Sequence, residues 1–360
     1  MIAAIRMSIA LAVCLLAGGQ RPAGAADADI ESLEQRAFRA AVDRVAPSVV
    51  RIETVGGLQR VDKVLFGDGP TTGLVVDKDG YIVSSAFNFI NRPASILVRL
   101  AGGKLKPAEL VATDHSRMLV LLKVKVDEPL PVPEIAPRSE IRVGQWAIAV
   151  GRTFEGNRTN MSVGVVSALG RIWGKAVQTD AIASPGNYGG PLVDVRGRVL
   201  GVIVPLSPSS AKEVAGYEWY DSGIGFAADA EHIMQILPKL RKGDDLFPGV
   251  IGISLQGSNP SIGEPVITAC HPNSPAAKAG LKKGDRIVEI EGQETLRASH
   301  VKRALSSRYA GDKVRVVVLR DEKRIESEIE LIAKLQPYQH PFLGVLPIRR
   351  TASLAAGGTA

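Results

Sequence analysis

Ser184-Pro-Gly-Asn-Tyr-Gly-Gly-Pro191 is the stretch on which the reading of this chain turns. A Pro-Gly-Asn approach, one central residue and then Gly-Gly-Pro form the frame of a tight turn that lifts a single side chain beside backbone N–H groups. Such a turn suits a serine-type nucleophile, yet the central position holds Tyr188. Two questions follow: which fold carries the turn, and whether the turn still carries chemistry.

On both sides of it, from about residue 49 to residue 225, the chain is a succession of short β-rich runs punctuated by glycine. Examples are Thr72-Gly-Leu-Val-Val-Asp77, Ser95-Ile-Leu-Val-Arg-Leu100 and Val199-Leu-Gly-Val-Ile-Val204. Strands at this spacing, without helices between them, predict a sandwich or barrel. Upstream, Ile30, Leu33, Ala37, Phe38, Ala41, Val42 and Val45 recur at three and four, which predicts a helix over 29–45 that Pro47 ends. A further helix over 229–240 closes the unit, and 241–246 reads as a polar linker.

The unit at 247–333 has a different grammar. In Ser274-Pro-Ala-Ala-Lys-Ala-Gly280, Ser is placed as N-cap, Pro at the first helical position and Gly as the stop, so a short helix is predicted. Strands follow over 285–291 and 313–319, with a helix between them over 296–307. Val250-Ile-Gly-Ile253 is echoed by Phe342-Leu-Gly-Val345 in the remaining segment, 334–360, which reads as a disordered tail or a remnant of a second such unit.

At 360 residues, 45 % hydrophobic and 22 % charged, the chain has the composition of ordinary globular domains, and two of them are expected. Residues 1–25 read as a secretory signal: Arg6, an apolar stretch from Met7 to Ala17, then Ala23-Gly24-Ala25 as a small-residue cleavage site. The stretch is too short for a spanning helix, so no transmembrane segment is expected in the mature chain. Bulky Val13 before Cys14 argues against a lipoprotein start. Removal of the segment takes away Arg6, Arg21 and Cys14, leaving a chain two charges less basic than the formal +7, with Cys270 as its one cysteine. A disulfide within the chain and a thiolate metal site are therefore not expected. Lys and Arg are scattered among Asp and Glu, as in Arg320-Asp-Glu-Lys-Arg324, which argues against nucleic-acid binding. No spacing predicts a metal, nucleotide or redox cofactor.

Several anchors then fall in one order: Gly80-Tyr-Ile-Val-Ser-Ser-Ala86, Leu119-Val-Leu-Leu-Lys-Val124, Val143-Gly-Gln-Trp-Ala-Ile-Ala-Val-Gly151, Ser162-Val-Gly-Val-Val-Ser-Ala-Leu-Gly-Arg171, Gln178-Thr-Asp-Ala-Ile182, Pro185-Gly-Asn187 and Gly223-Ile-Gly-Phe226. With them the chain resembles the HtrA (Deg) family over roughly residues 38–333. The resemblance implies a mostly β fold: a chymotrypsin-like double β-barrel over 46–240, preceded by the helical segment 26–45, and followed by one α+β PDZ domain over 247–333. In that family His follows the Tyr-Ile-Val segment, Asp precedes the Leu-rich strand, and Ser stands between Asn and Gly-Gly. Here those positions are Phe87, Met118 and Tyr188.

Serine-type hydrolysis needs an imidazole to take and return a proton and a carboxylate to fix its tautomer. Phe87 accepts no proton, Met118 carries no charge, and a phenol with an ordinary pKa of about 10 is a poor nucleophile without a nearby base or cation. No histidine precedes His115. His115 is expected as a solvated loop residue, and Asp114 and Ser184 as loop and turn polar groups. His232, His271, His300 and His340 fall in the closing helix, the second domain or the tail. Phe87, Met118 and Tyr188 are expected to pack as a small apolar cluster in place of the polar network. Gly186, Asn187 and the Tyr188 N–H keep the sequence of an oxyanion-loop-like nest, able to hold a carbonyl or carboxylate, or simply a Gly-rich turn that is hard to replace.

The PDZ resemblance implies that Val250, Ile251, Gly252 and Ile253 form the loop that holds a peptide carboxylate, with Val301 and Leu305 as candidates for the facing helical wall. It implies unfolded proteins or peptide C-termini as ligands, and a homo-oligomer, a trimer by analogy, in which Phe38 is a candidate contact, or mixed assembly with an active paralogue. The expected function is an exported, periplasmic, HtrA-like pseudoprotease with a chaperone-like or regulatory role in protein quality control. The competing reading is an active serine-type endopeptidase with a non-standard catalytic set. A purely structural envelope protein, the third class, would bind no peptide in the groove.

Overall fold

The computed structural model describes residues 24–56, 59–61, 64–66, 70–90, 92–154, 158–206, 223–257 and 259–336. The expected signal, save its last two residues, and the echo at 342–345 lie outside these.

Helix α1 (Gly24–Val45) starts upstream of its predicted limit and buries Ala41, Val42 and Val45. Phe38 on the same helix meets Trp146 edge-on at 5.3 Å between ring centroids. A 3₁₀ turn carrying Pro47 then leads into the sheet. The strands β1 (Val49–Val55), β2 (Gln59–Val61), β3 (Val64–Phe66), β4 (Thr71–Asp77), β5 (Tyr81–Ser85), β6 (Ser95–Arg99), β7 (Leu105–Asp114) and β8 (Leu119–Val124) follow. Six of them close a barrel in the order β1-β4-β5-β8-β7-β6, while β2 and β3 pair separately. A second barrel, in the order β10-β11-β14-β13-β12-β9, is made by β9 (Trp146–Gly151), β10 (Asn160–Gly170), β11 (Ala176–Thr179), β12 (Pro191–Val193), β13 (Val199–Ile203) and β14 (Gly225–Asp229). Closure leaves no barrel edge unpaired.

The strands read from sequence are those with β-branched runs; β7 escaped because its first half, Lys106-Pro-Ala-Glu109, is polar, with Pro107 and Glu109 exposed. Helix α2 (Ala230–Leu240) starts as the sequence implies, with the Asp229 carboxylate accepting from His232 N at 3.0 Å.

The third unit holds β15 (Ile253–Leu255), β16 (Ile267–Cys270), α3 (Pro275–Lys278), β17 (Arg286–Ile290), β18 (Gln293–Glu294), α4 (Ala298–Ser306), β19 (Lys313–Arg320) and β20 (Lys323–Glu330). Ser274 caps α3, its hydroxyl accepting from Ala277 N. The segment expected as a linker is stitched to the first barrel: Leu246 N donates to Thr113 O at 2.8 Å, His115 N to Leu246 O at 2.9 Å, and the Asp245 carboxylate takes Thr113 N at 2.7 Å.

Candidate functional site: the barrel crevice and the groove of the third unit

Strand β5 ends at Ser85, whose hydroxyl accepts from Phe87 N and opens a short 3₁₀ turn, Ala86–Phe89. The turn carries Phe87 into contact with Tyr188, ring centroids 5.5 Å apart and planes at 75°. Tyr188 is 4 % exposed. Its carbonyl accepts from the Thr71 hydroxyl at 2.9 Å and from Thr72 N at 3.3 Å, so β4 clamps the loop from below. The Thr72 hydroxyl also donates to Gly186 O at 3.0 Å. Gly189 is required here: its φ is +82°, and a Cβ would stand 2.2 Å from Thr72 O.

Met118 reaches this region through its backbone. Its carbonyl accepts from Ala86 N at 2.7 Å, and its φ of 57° is a left-handed conformation uncommon outside glycine. Its side chain is buried in a large apolar cluster that runs through both barrels, whereas Tyr188 belongs to a smaller cluster of the second barrel and Phe87 lies against it. The structure thus brings two of the three expected cluster members together and places the third in a different apolar cluster.

The loop amides are also directed differently from an open nest. Asn187 N and Tyr188 N both donate to Ser184 O, at 2.9 and 3.0 Å. The Asn187 side chain is fixed as well, accepting from Ser184 N and donating to Ile182 O, each at 2.8 Å. Two of the three peptide N–H groups read as the nest therefore bond within the loop.

Of the polar residues expected near the crevice, Ser184 stays in the loop, whereas His115 and Asp114 are drawn to the junction with the third unit. His115 stacks on Phe247 at 4.5 Å, with Nε2 3.9 Å from the Asp245 carboxylate. Asp114, expected on a turn surface, is fully buried, because Tyr309 from the third unit covers it and donates its phenol to Oδ2 at 2.7 Å. The amides of Ser116 and Arg117 donate to Oδ1, and the Arg117 guanidinium donates to the Tyr309 oxygen. Burial pushes the Asp114 carboxyl above its usual range, opposed by Arg117, the phenol and the two amides. Burial, aided by Arg117, moves the Lys175 ammonium down to about 8. His232 Nε2 lies 3.2 Å from the Tyr309 oxygen. No local sequence signal marks this cluster, since it assembles from segments far apart in the chain.

In the third unit, Val250 exchanges two hydrogen bonds with Ile332, Ile251 O accepts from Ala276 N, and Gly252 adopts φ +81°. β15 pairs with β16 along one edge and has no strand partner on the other among the described residues. Between that edge and α4 lies a groove of about 300 Å³. Val301 and Leu305 both line it, as expected, but they differ: Val301 is 1 % exposed and packs into the core with Ile267 and Val316, so it is floor, whereas Leu305 is a half-buried wall. Ala298 and Lys302, missed in the sequence, complete the helical side. Their spacing, seven and three residues before Leu305 and so on the same helical face, was a usable signal.

Residues 71–202 match the trypsin-like peptidase domain model and residues 249–331 the PDZ domain model. A probable periplasmic serine endoprotease, DegP-like, from Pseudomonas fluorescens is 30 % identical over 290 residues, covering 77 % of this chain and 58 % of its own length. One of the same description from Chlamydia trachomatis is 31 % identical over 270 residues, covering 71 % and 52 %. The chain thus spans a little over half the length of these relatives. Among solved structures, the HtrA-type protease AlgW with a tripeptide superposes with a TM-score of 0.65 at 26 % identity, covering 83 % of this chain and 98 % of that one.

The chain is a trypsin-like peptidase domain followed by a PDZ domain, similar to HtrA-type and DegP-like proteases. Within this HtrA-like chain the peptidase-domain match contains Phe87, Met118 and Tyr188, and the PDZ match contains the groove. Among the described residues, no group of three or more His, Cys, Asp or Glu is placed to hold a metal ion, and no helix is long and apolar enough to cross a membrane.

Proposed function

We propose that this HtrA-like chain holds polypeptide in its PDZ groove without cutting it, as an exported chaperone-like or regulatory partner in envelope protein quality control. The observation that carries the proposal is the edge-on contact of Phe87 with Tyr188 at 5.5 Å. Aromatic pairs in this geometry are favourable apolar contacts, and neither ring can relay a proton as an imidazole does. The inward-turned Asn187 and Tyr188 amides support the same reading, because an oxyanion needs donors aimed at the crevice. Periplasmic location is the description carried by the relatives. Self-association through the surface around Phe38 and Trp146, or mixed assembly with an active paralogue, is the proposed route by which a non-cleaving chain acts.

The competing proposal, an active serine-type endopeptidase, rests on the relatives' descriptions as endoproteases. The test is hydrolysis of an unfolded protein by the purified chain, by Tyr188→Ala, and by a triple variant, Phe87→His with Met118→Asp and Tyr188→Ser. Silence of the natural chain with activity in the triple variant is the expected outcome. Cleavage by the natural chain that disappears in Tyr188→Ala overturns it.

A further inference from the structure

The PDZ groove has one charged wall. Its strand side presents Ile253 and Leu255, its floor is Val301, and among all its lining residues Lys302 alone is ionisable. Lys302 stands on α4 with its stem along the groove and Nζ 5.3 Å from the centroid of Trp173 in the second barrel. Two further cations flank the same seam. Arg303 places Nη2 2.8 Å from where a Cβ on Gly170 would be, and Arg171 begins the turn that carries Trp173. No carboxylate lies within ion-pair distance of Lys302, Arg303 or Arg171 among the described residues. Among the described residues the seam is positive and carries no paired carboxylate, and the groove opens onto it through Lys302.

We propose that the groove takes an extended peptide with an acidic side chain facing α4, and that Lys302 is the residue that selects it. The proposal rests on the peptide-binding reading of the groove. The open edge of β15 offers main-chain hydrogen bonds that any extended peptide satisfies, so those bonds confer no choice among sequences. Ile253, Leu255 and Val301 accept aliphatic side chains of many shapes. Discrimination falls to the group whose partner must have a defined sign, an exposed ammonium at the groove's rim that lies over the face of an indole. A peptide carboxylate is a stronger partner for it than that ring, and Arg303 and Arg171 add attraction for acidic residues on the way in.

The test is fluorescence anisotropy with the full chain and labelled decapeptides ending in Val. Glu is moved through the positions before the last, each with Gln and Lys counterparts, at low and high salt. At one position the Glu peptide is expected to bind about five- to tenfold tighter than Gln, and the Lys peptide weaker than Gln, with the spread shrinking at high salt. Lys302→Glu reverses that order, and in Lys302→Met the three peptides converge. Affinities within about twofold for Glu, Gln and Lys at every position, or an unchanged order in Lys302→Glu, overturn the role of Lys302 while leaving the groove a peptide site. If no peptide of the series binds, the peptide-binding reading falls and this proposal falls with it.

Discussion

The phenol of Tyr309, just beyond the PDZ helix α4, donates to the Asp114 carboxylate, at the end of β7 in the first barrel, over 2.7 Å. Asp114 also receives the amides of Ser116 and Arg117, so one side chain both caps a barrel turn and anchors the neighbouring domain. Leu246 pairs beside it and Phe247 stacks on His115, while on the other side Ser306 of α4 donates its hydroxyl to Trp173 O. The groove helix is thus held to the second barrel while the chain entering the PDZ domain is held to the first. The peptide groove has a defined orientation relative to the crevice between Phe87 and Tyr188.

Tyr309→Phe keeps the ring and removes the donor. Asp114 is then left buried with Arg117 as its one side-chain partner, and loss of a buried hydrogen bond to a charged group costs roughly 1–3 kcal/mol. Thermal unfolding is expected several degrees lower, and an added protease is expected to cut the 241–246 segment faster. A variant that melts and digests like the natural chain would show that this contact does not hold the domains together.

His232 sets the pH response of the same junction. Burial first, then the charges of Arg117, Arg138 and Lys239, hold its imidazole down at about 3, against 6.5 for the ordinary group. The folded pKa lies below the unfolded one, so the unfolded chain binds the extra proton first. This contribution is present in full above pH 6.5 and is lost progressively as pH falls toward 3. The Asp114 carboxyl acts in the opposite sense: its folded pKa is raised, so the fold loses stability as pH rises above 3.8. The difference in melting temperature between the natural chain and His232→Gln, measured from pH 8 to pH 5, isolates the histidine. The gap is expected to narrow as the pH drops, and a gap independent of pH means that His232 does not titrate between the two states.

The β-rich character of 49–225 and the cap of α3 were legible because each is written locally, whereas the closure into two barrels came from the resemblance. Short apolar, β-branched runs bounded by glycine make strands, and Ser274-Pro275 makes a helix start. β20 was missed because Lys323-Arg-Ile-Glu-Ser-Glu-Ile-Glu330 reads as charged, although Ile325 and Ile329 alternate correctly for a strand whose other face is wet. The slots at Phe87 and Tyr188 were found through their loop sequence, and the groove through Val250-Ile-Gly-Ile253. Asp114 was misplaced because its burial depends on Tyr309, 195 residues away, which no neighbour of Asp114 announces. The placement of Met118 in a different apolar cluster from Tyr188 was equally hidden, since no neighbour in the sequence announces it.

Phe87→His alone tests whether the crevice has become part of the core. Tyr188 would lose the phenyl ring of its edge-on partner, a contact worth about 0.5–1.5 kcal/mol beyond the area buried, and a polar imidazole would enter an apolar contact. A fall in melting temperature of about 2–4 °C per kcal/mol is expected for a chain of this size. An unchanged melting temperature would mean that the ring contact is incidental, and the case for a crevice rebuilt around packing would lose its support.

Two glycines of the PDZ domain separate strain from obstruction. Gly252 and Gly280 have nearly the same left-handed backbone, φ +81° and +80°, so alanine at either should cost roughly 1–2 kcal/mol in conformational strain. Their surroundings differ. A Cβ at Gly280 meets nothing within 4 Å, whereas at Gly252 it stands 2.3 Å from the Ser274 Cβ and 2.9 Å from the Leu335 side chain. Ser274 caps α3, and Gly252 O accepts from His271 N at 2.8 Å, so relief of the clash must move the loop that opens the groove. Gly280→Ala is expected to lower stability and leave peptide affinity alone. Gly252→Ala is expected to lower stability further and to weaken peptide binding at least about tenfold. Equal peptide affinity in both variants, measured by the same anisotropy titration, would mean that the Val250–Ile253 loop does not hold the peptide, whatever its resemblance to a carboxylate-binding loop.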